Sequence, residues 1–96
     1  MSELEKDFKA SEVFIDETAS IILQLNKFSK HPGIINLSEQ LIMIDAYRKE
    51  MEKVYFDENE SLKSRDFDII NTISSLYENS KTMYEIAIEA RLDLLK

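Results

Sequence analysis

The sequence predicts an all-α fold, an antiparallel up-down-up bundle of three helices with a long C-terminal helix. Three observations predict it. The only proline and the only glycine among 96 residues stand side by side at Pro32 and Gly33, giving the chain one strong stop signal. On both sides of that signal, apolar residues recur at steps of three and four over long stretches. No segment alternates with the two-residue period of a strand, and no internal repeat or low-complexity run breaks the pattern.

The first helix is expected over residues 3–29. Ser2 and Glu5 have the spacing of a capping box, in which the hydroxyl accepts a backbone N–H and the carboxylate reaches back to the cap. Leu4, Phe8, Ile15, Ala19 and Ile22 form one apolar row, and Phe14, Thr18, Ile21, Leu25 and Phe28 a neighbouring one. A stripe that broad suits a helix packed against two others. Glu5 and Lys9 stand four apart as a candidate ion pair. Pro32 disfavours helical geometry at His31, and Gly33 can adopt positive φ, so the helix is expected to end near Ser29.

The second helix is expected over 36–56, with Asn36 as its cap and Glu39 completing a second box. Leu37, Leu41, Ile44, Met51 and Tyr55 keep a heptad row that Arg48 interrupts, and Met43, Tyr47 and Val54 are expected to thicken that core face. Asp45 and Lys49 form an outward pair. The polar stretch from Asp57 to Ser61 marks the second turn.

The third helix is expected over 64–95, capped at Ser64, with Asp66 and Asp68 beside its N-terminal dipole and Arg91 and Lys96 at the other end. Ile69, Ile73, Leu76, Ser80, Met83, Ala87, Ala90 and Leu94 repeat 4-3-4-3, flanked by Ile70, Tyr77, Tyr84, Ile88 and Leu95. At 1.5 Å per residue it would be a rod of about 45 Å beside a second helix of about 30 Å. Part of it is therefore expected to overhang unless the first helix, a partner or a second copy covers it.

Composition bounds the function. The length implies a single helical domain over 1–96. A formal charge of −7, from 12 basic and 19 acidic residues, repels nucleic acid and anionic lipid. The absence of cysteine excludes disulfides and thiolate chemistry, and a charged N-terminal segment lacks the pattern of a secretory leader. The longest uncharged apolar run, 18–26, is too short to span a bilayer. These features imply a cytoplasmic chain without membrane insertion. His31 is the only histidine, too few for a helical di-iron centre, and one glycine cannot build a phosphate loop. No enzyme activity and no cofactor are expected.

The run from His31 to Leu41 resembles the second-helix signature of the small helical phosphatases of sporulation response regulators, which carry a His-Pro, two aliphatics and a Ser-Gln-x-Leu-Asp run. Here Glu39 stands where that family has glutamine and Ile42 where it has its diagnostic aspartate, so no catalytic residue is carried over. Size, acidity and helical content are also similar to those of intracellular bacteriocin immunity proteins.

The expected function is that of a small acidic helical protein–protein interaction module, acting through its long C-terminal helix on a protein partner or on itself as a homodimer. The alternative is an intracellular regulator or inhibitor of a protein partner. The candidate surface comprises Phe56 and Phe67 at the second turn, then Tyr77, Tyr84, Glu85, Ile88, Glu89, Leu92, Asp93 and Leu95 on the third helix. Within it, Glu85, Glu89 and Asp93 form an acidic row at i, i+4 and i+8, as Glu12 and Asp16 do on the first helix. Like charges so spaced cost a helix a few tenths of a kcal/mol per pair. Either a basic partner or hard cation docks on them, or neighbouring cations and solvent offset them.

Overall fold

The structure, a computed structural model, describes residues 2–95. Helix α1 (Glu3–Gln24) leads through a short 3₁₀ turn (Asn26–Phe28) to α2 (Pro32–Tyr55), and a loop over 57–66 leads to α3 (Phe67–Leu94). Two clusters of buried residues fix the topology. One joins Ile15, Ile21 and Leu25 of the α1 end to Ile34 and Leu37 at the start of α2 and Met83 and Ala87 late in α3. The other joins Phe8 to Met51 and Phe56 and to Ile69, Ile73 and Leu76. Early α1 thus meets late α2 and early α3, the up-down-up order, in a body of 45 × 21 × 19 Å.

Ser2 caps α1 as its spacing predicts: the Glu5 N–H donates to the Ser2 hydroxyl, and Glu5 Oε1 accepts from the Ser2 N–H at 3.1 Å. The helix ends at Gln24, not near Ser29, because the backbone tightens into the 3₁₀ turn. That turn lets the Phe28 N–H reach the Leu25 carbonyl at 2.8 Å. Helix α1 packs most extensively against α3. Fully buried Ser11, Thr18 and Ser80 stay small and polar at no cost, since their hydroxyls donate to the Phe8, Phe14 and Tyr77 carbonyls of their own helices.

Helix α2 starts four residues earlier than the Asn36 box predicts. Pro32 occupies its first turn, where the missing N–H is no loss, and His31 is the cap, its Nδ1 accepting from the Gly33 N–H at 3.1 Å. Gly33 is helical and has no positive φ; that conformation falls instead on Glu60 in the second turn, at φ 62°. The earlier start shortens the expected overhang. Helices of 24 and 28 residues differ by only about 6 Å, and Ala90 and Leu94 pack on the first cluster.

In the second turn, the Asp57 carboxylate accepts the Asn59 and Ser61 N–H groups, and a lone antiparallel bridge pairs Phe56 with Leu62. Helix α3 starts at Phe67 with Asp66 as its cap residue, so Ser64 is not the cap. Its predicted core row is correct from Ile69 to Ala87. Lys96, expected beside the C-terminal dipole, lies outside the described residues.

Candidate functional site

Two features could carry function, a polar cavity at one end and the outer face of α2. The cavity, about 120 Å³, lies between α1, the end of α2 and the second turn. Phe8 and Phe56 line it, their ring centroids 4.4 Å apart, together with Glu5, Glu12, Glu52, Asp57, Glu60, Lys9 and Arg48. Arg48 continues the core row that it breaks in sequence and is buried, its guanidinium carbon 4.9 Å from the centre of the Phe8 ring. Its two terminal nitrogens reach Glu12 at 2.8 Å and Glu52 at 3.3 Å, while Nε is buried with no hydrogen-bond partner among the described residues.

The other carboxylates of the cavity are also engaged. Lys9 pairs with Glu60 at 3.5 Å and Arg65 approaches Glu5 at 4.0 Å, so the predicted Glu5–Lys9 pair gives way to links between α1 and the second turn. The Ser2 hydroxyl, then its backbone N–H, holds the Glu5 carboxyl below the usual range. Asp7 goes the other way: burial, then the charges of Glu3 and Glu78, raise it. The cavity is a set of satisfied ion pairs that ties three segments together. Among the described residues, no group of three His, Asp or Glu side chains is placed to hold a metal ion.

The face bet on α3 is divided. Phe56, one of the candidate surface residues, is buried, because the chain turns extended there and seats the ring on Phe8. Tyr77 and Tyr84 lie half-buried against Phe14 at 5.8 and 5.5 Å, and Ile88 packs on the first cluster. Phe67, Leu92 and Leu95 are exposed, as are Glu85, Glu89 and Asp93, which have no ion-pair partner among the described residues. Of the α1 acids, Glu12 is offset by Arg48, and Asp16 is exposed. The chain matches no protein-family model, no curated protein and no solved structure.

The largest set of exposed apolar side chains on one helix lies on α2, although Leu23 of α1 and Phe67 of α3 are individually more exposed. Ile42 and Met43 are 69% and 71% exposed, with Ile35, Tyr47 and Val54 also open to solvent, so Met43, Tyr47 and Val54 do not thicken the core. The reason is register. With Arg48 accepted into the inward row 34-37-41-44-48-51-55, the row 36-40-43-47-50-54 must face outward. Beside it, Ile86 of α3 is half-exposed and closes a groove of about 330 Å³ with Gln40, Met43 and Asn79. Half of this outward row, Met43, Tyr47 and Val54, is apolar and was visible in the sequence. Reading it correctly required placing a charged residue in the core.

Proposed function

We propose that the protein is a protein–protein interaction module whose binding face is centred on α2, flanked by Ile86 and the acidic row of α3. The observation that carries this reading is the set of five exposed apolar side chains on α2: Met43, Tyr47 and Val54 in its outward row and Ile35 and Ile42 on the adjoining α1 side. Single scattered apolar residues are ordinary on a surface, whereas several on one helix beside a groove point to a contact site. Affinity would come from these side chains and selectivity from the charged rim of Glu39, Glu50 and Glu85. The face shifts from the C-terminal helix to α2 because the aromatic flank of α3 is spent on Phe14. In this reading the protein is cytoplasmic and non-catalytic, in keeping with a chain that has no cysteine and whose cavity carboxylates are already paired.

A photoreactive side chain at Met43 tests it in the producing cell. Protein adducts should form from position 43 and not from exposed Glu17 on α1. No adduct from position 43, with the protein soluble and folded, would sink the proposal.

A further inference from the structure

Resting on that reading, we propose that the occupant of the α2 face is a second copy of this chain, paired antiparallel through α2 about a two-fold axis beside Ala46. Charge is the first argument. Between Glu3 and Gln24, α1 carries six acidic and two basic residues, and α3 carries five and two between Phe67 and Leu94. Facing either helix with its own copy would bring like charges together. Helix α2 alone is near neutral, with Glu39, Asp45, Glu50 and Glu52 against Arg48, Lys49 and Lys53. Of its exposed charges, Glu39 stands toward one end and Lys53 toward the other, fourteen residues apart with Ala46 midway, and Lys49, Glu50 and Glu52 lie between them with a net charge of only −1. An antiparallel pair therefore sets Glu39 of each copy near Lys53 of the other, twice by symmetry, and opposes the two helix dipoles.

Shape is the second argument. An axis between Met43 and Tyr47, one residue from the midpoint of Glu39 and Lys53, puts Tyr47 of each copy opposite Met43 of the other, at the mouth of the groove closed by Ile86 and Asn79, and leaves Glu39 offset from Lys53 by about 3 Å along the helix. Gln40 falls opposite Glu50, an amide donor against a carboxylate. Ala46, the smallest side chain on the face, lies where the two backbones come closest.

Light scattering and sedimentation across about 10 μM to 1 mM test this. The wild type should approach twice the chain mass of 11.2 kDa, while Met43→Glu and Tyr47→Glu should stay at 11.2 kDa with unchanged helical circular dichroism. Glu39→Lys alone and Lys53→Glu alone should each weaken pairing about five-fold, and the double swap should restore it to within about two-fold. A wild type that stays at the chain mass throughout, a dimer that survives both glutamates, or single swaps that the double swap does not rescue would each overturn the proposal. The photo-adduct separates this failure from failure of the broader reading. A monomer whose position 43 captures a protein of another mass remains an interaction module, whereas a monomer with no adduct refutes both.

Discussion

Arg48 is the residue that organises the lower half of the bundle, and its energetics are those of a cation lodged on an aromatic ring. Its side chain is 9% exposed, while its partners Glu12 and Glu52 are 52% and 47% exposed, so the carboxylates can rehydrate if the cation is removed. Truncation should therefore cost less than breaking a wholly buried pair. Arg48→Ala should destabilise by about 2 kcal/mol, mostly from lost packing and cation–π contact with Phe8. Arg48→Met, which keeps a long apolar stem on the ring, should cost under about 1 kcal/mol. Urea midpoints at unchanged m-value measure both. Asp7 offers an opposite case. Its carboxyl is raised by burial and by Glu3 and Glu78, so the ionised form opposes folding above the usual aspartate range and the protonated form does not. Asp7→Asn should raise Tm at pH 7, and the gain should fade as pH falls toward the ordinary aspartate range and be gone below about pH 4.

At the scale of elements, the start of α2 separates two capping schemes. If Asn36 were the cap, Asn36→Ala would cost about 1 kcal/mol. In the structure Asn36 lies inside the helix and exposed, so the same change should instead stabilise by about 0.5 kcal/mol through helix propensity. His31→Ala, which removes the acceptor of the Gly33 N–H, should cost about 0.5–1 kcal/mol. Thermal unfolding of the two variants checks the pair of signs. The same helix shows what the sequence could convey. Periodicity specified the core of α3, whose apolar row has no charged member, and the capping box of α1, whose two partners are three residues apart. It misassigned the row Met43, Tyr47 and Val54 because Arg48 looked like an interruption. That an arginine could be core depended on Phe8, Glu12 and the α1–α2 packing, contacts 36 to 40 residues away that no local pattern contains. The Phe56 assignment failed for a related reason. Its burial follows from the chain leaving helical geometry at the very residue where the helix ends.

At the scale of the whole molecule, net charge makes self-pairing and capture of a basic partner respond to salt with opposite sign. Two copies at −7 repel each other across their whole surfaces, and most of that repulsion acts between charges farther apart than the screening length. The two Glu39–Lys53 contacts of the proposed pair are solvent-exposed and are themselves screened, but each contributes under about 1 kcal/mol, so little is lost through them as salt rises. The long-range term should dominate. Raising ionic strength from about 20 mM to about 500 mM, where the screening length shrinks toward a few ångströms, should tighten self-association several-fold. Apolar burial along Ile42, Met43 and Tyr47 does not oppose this, since it is insensitive to simple screening. A basic partner docked on Glu85, Glu89 and Asp93 would be held by attraction across the same surface, and its affinity should fall over the same range. Sedimentation at three salt concentrations reads the sign directly. A dimer that dissociates as salt is added would show that attraction between opposite charges, not apolar burial along α2, holds the pair.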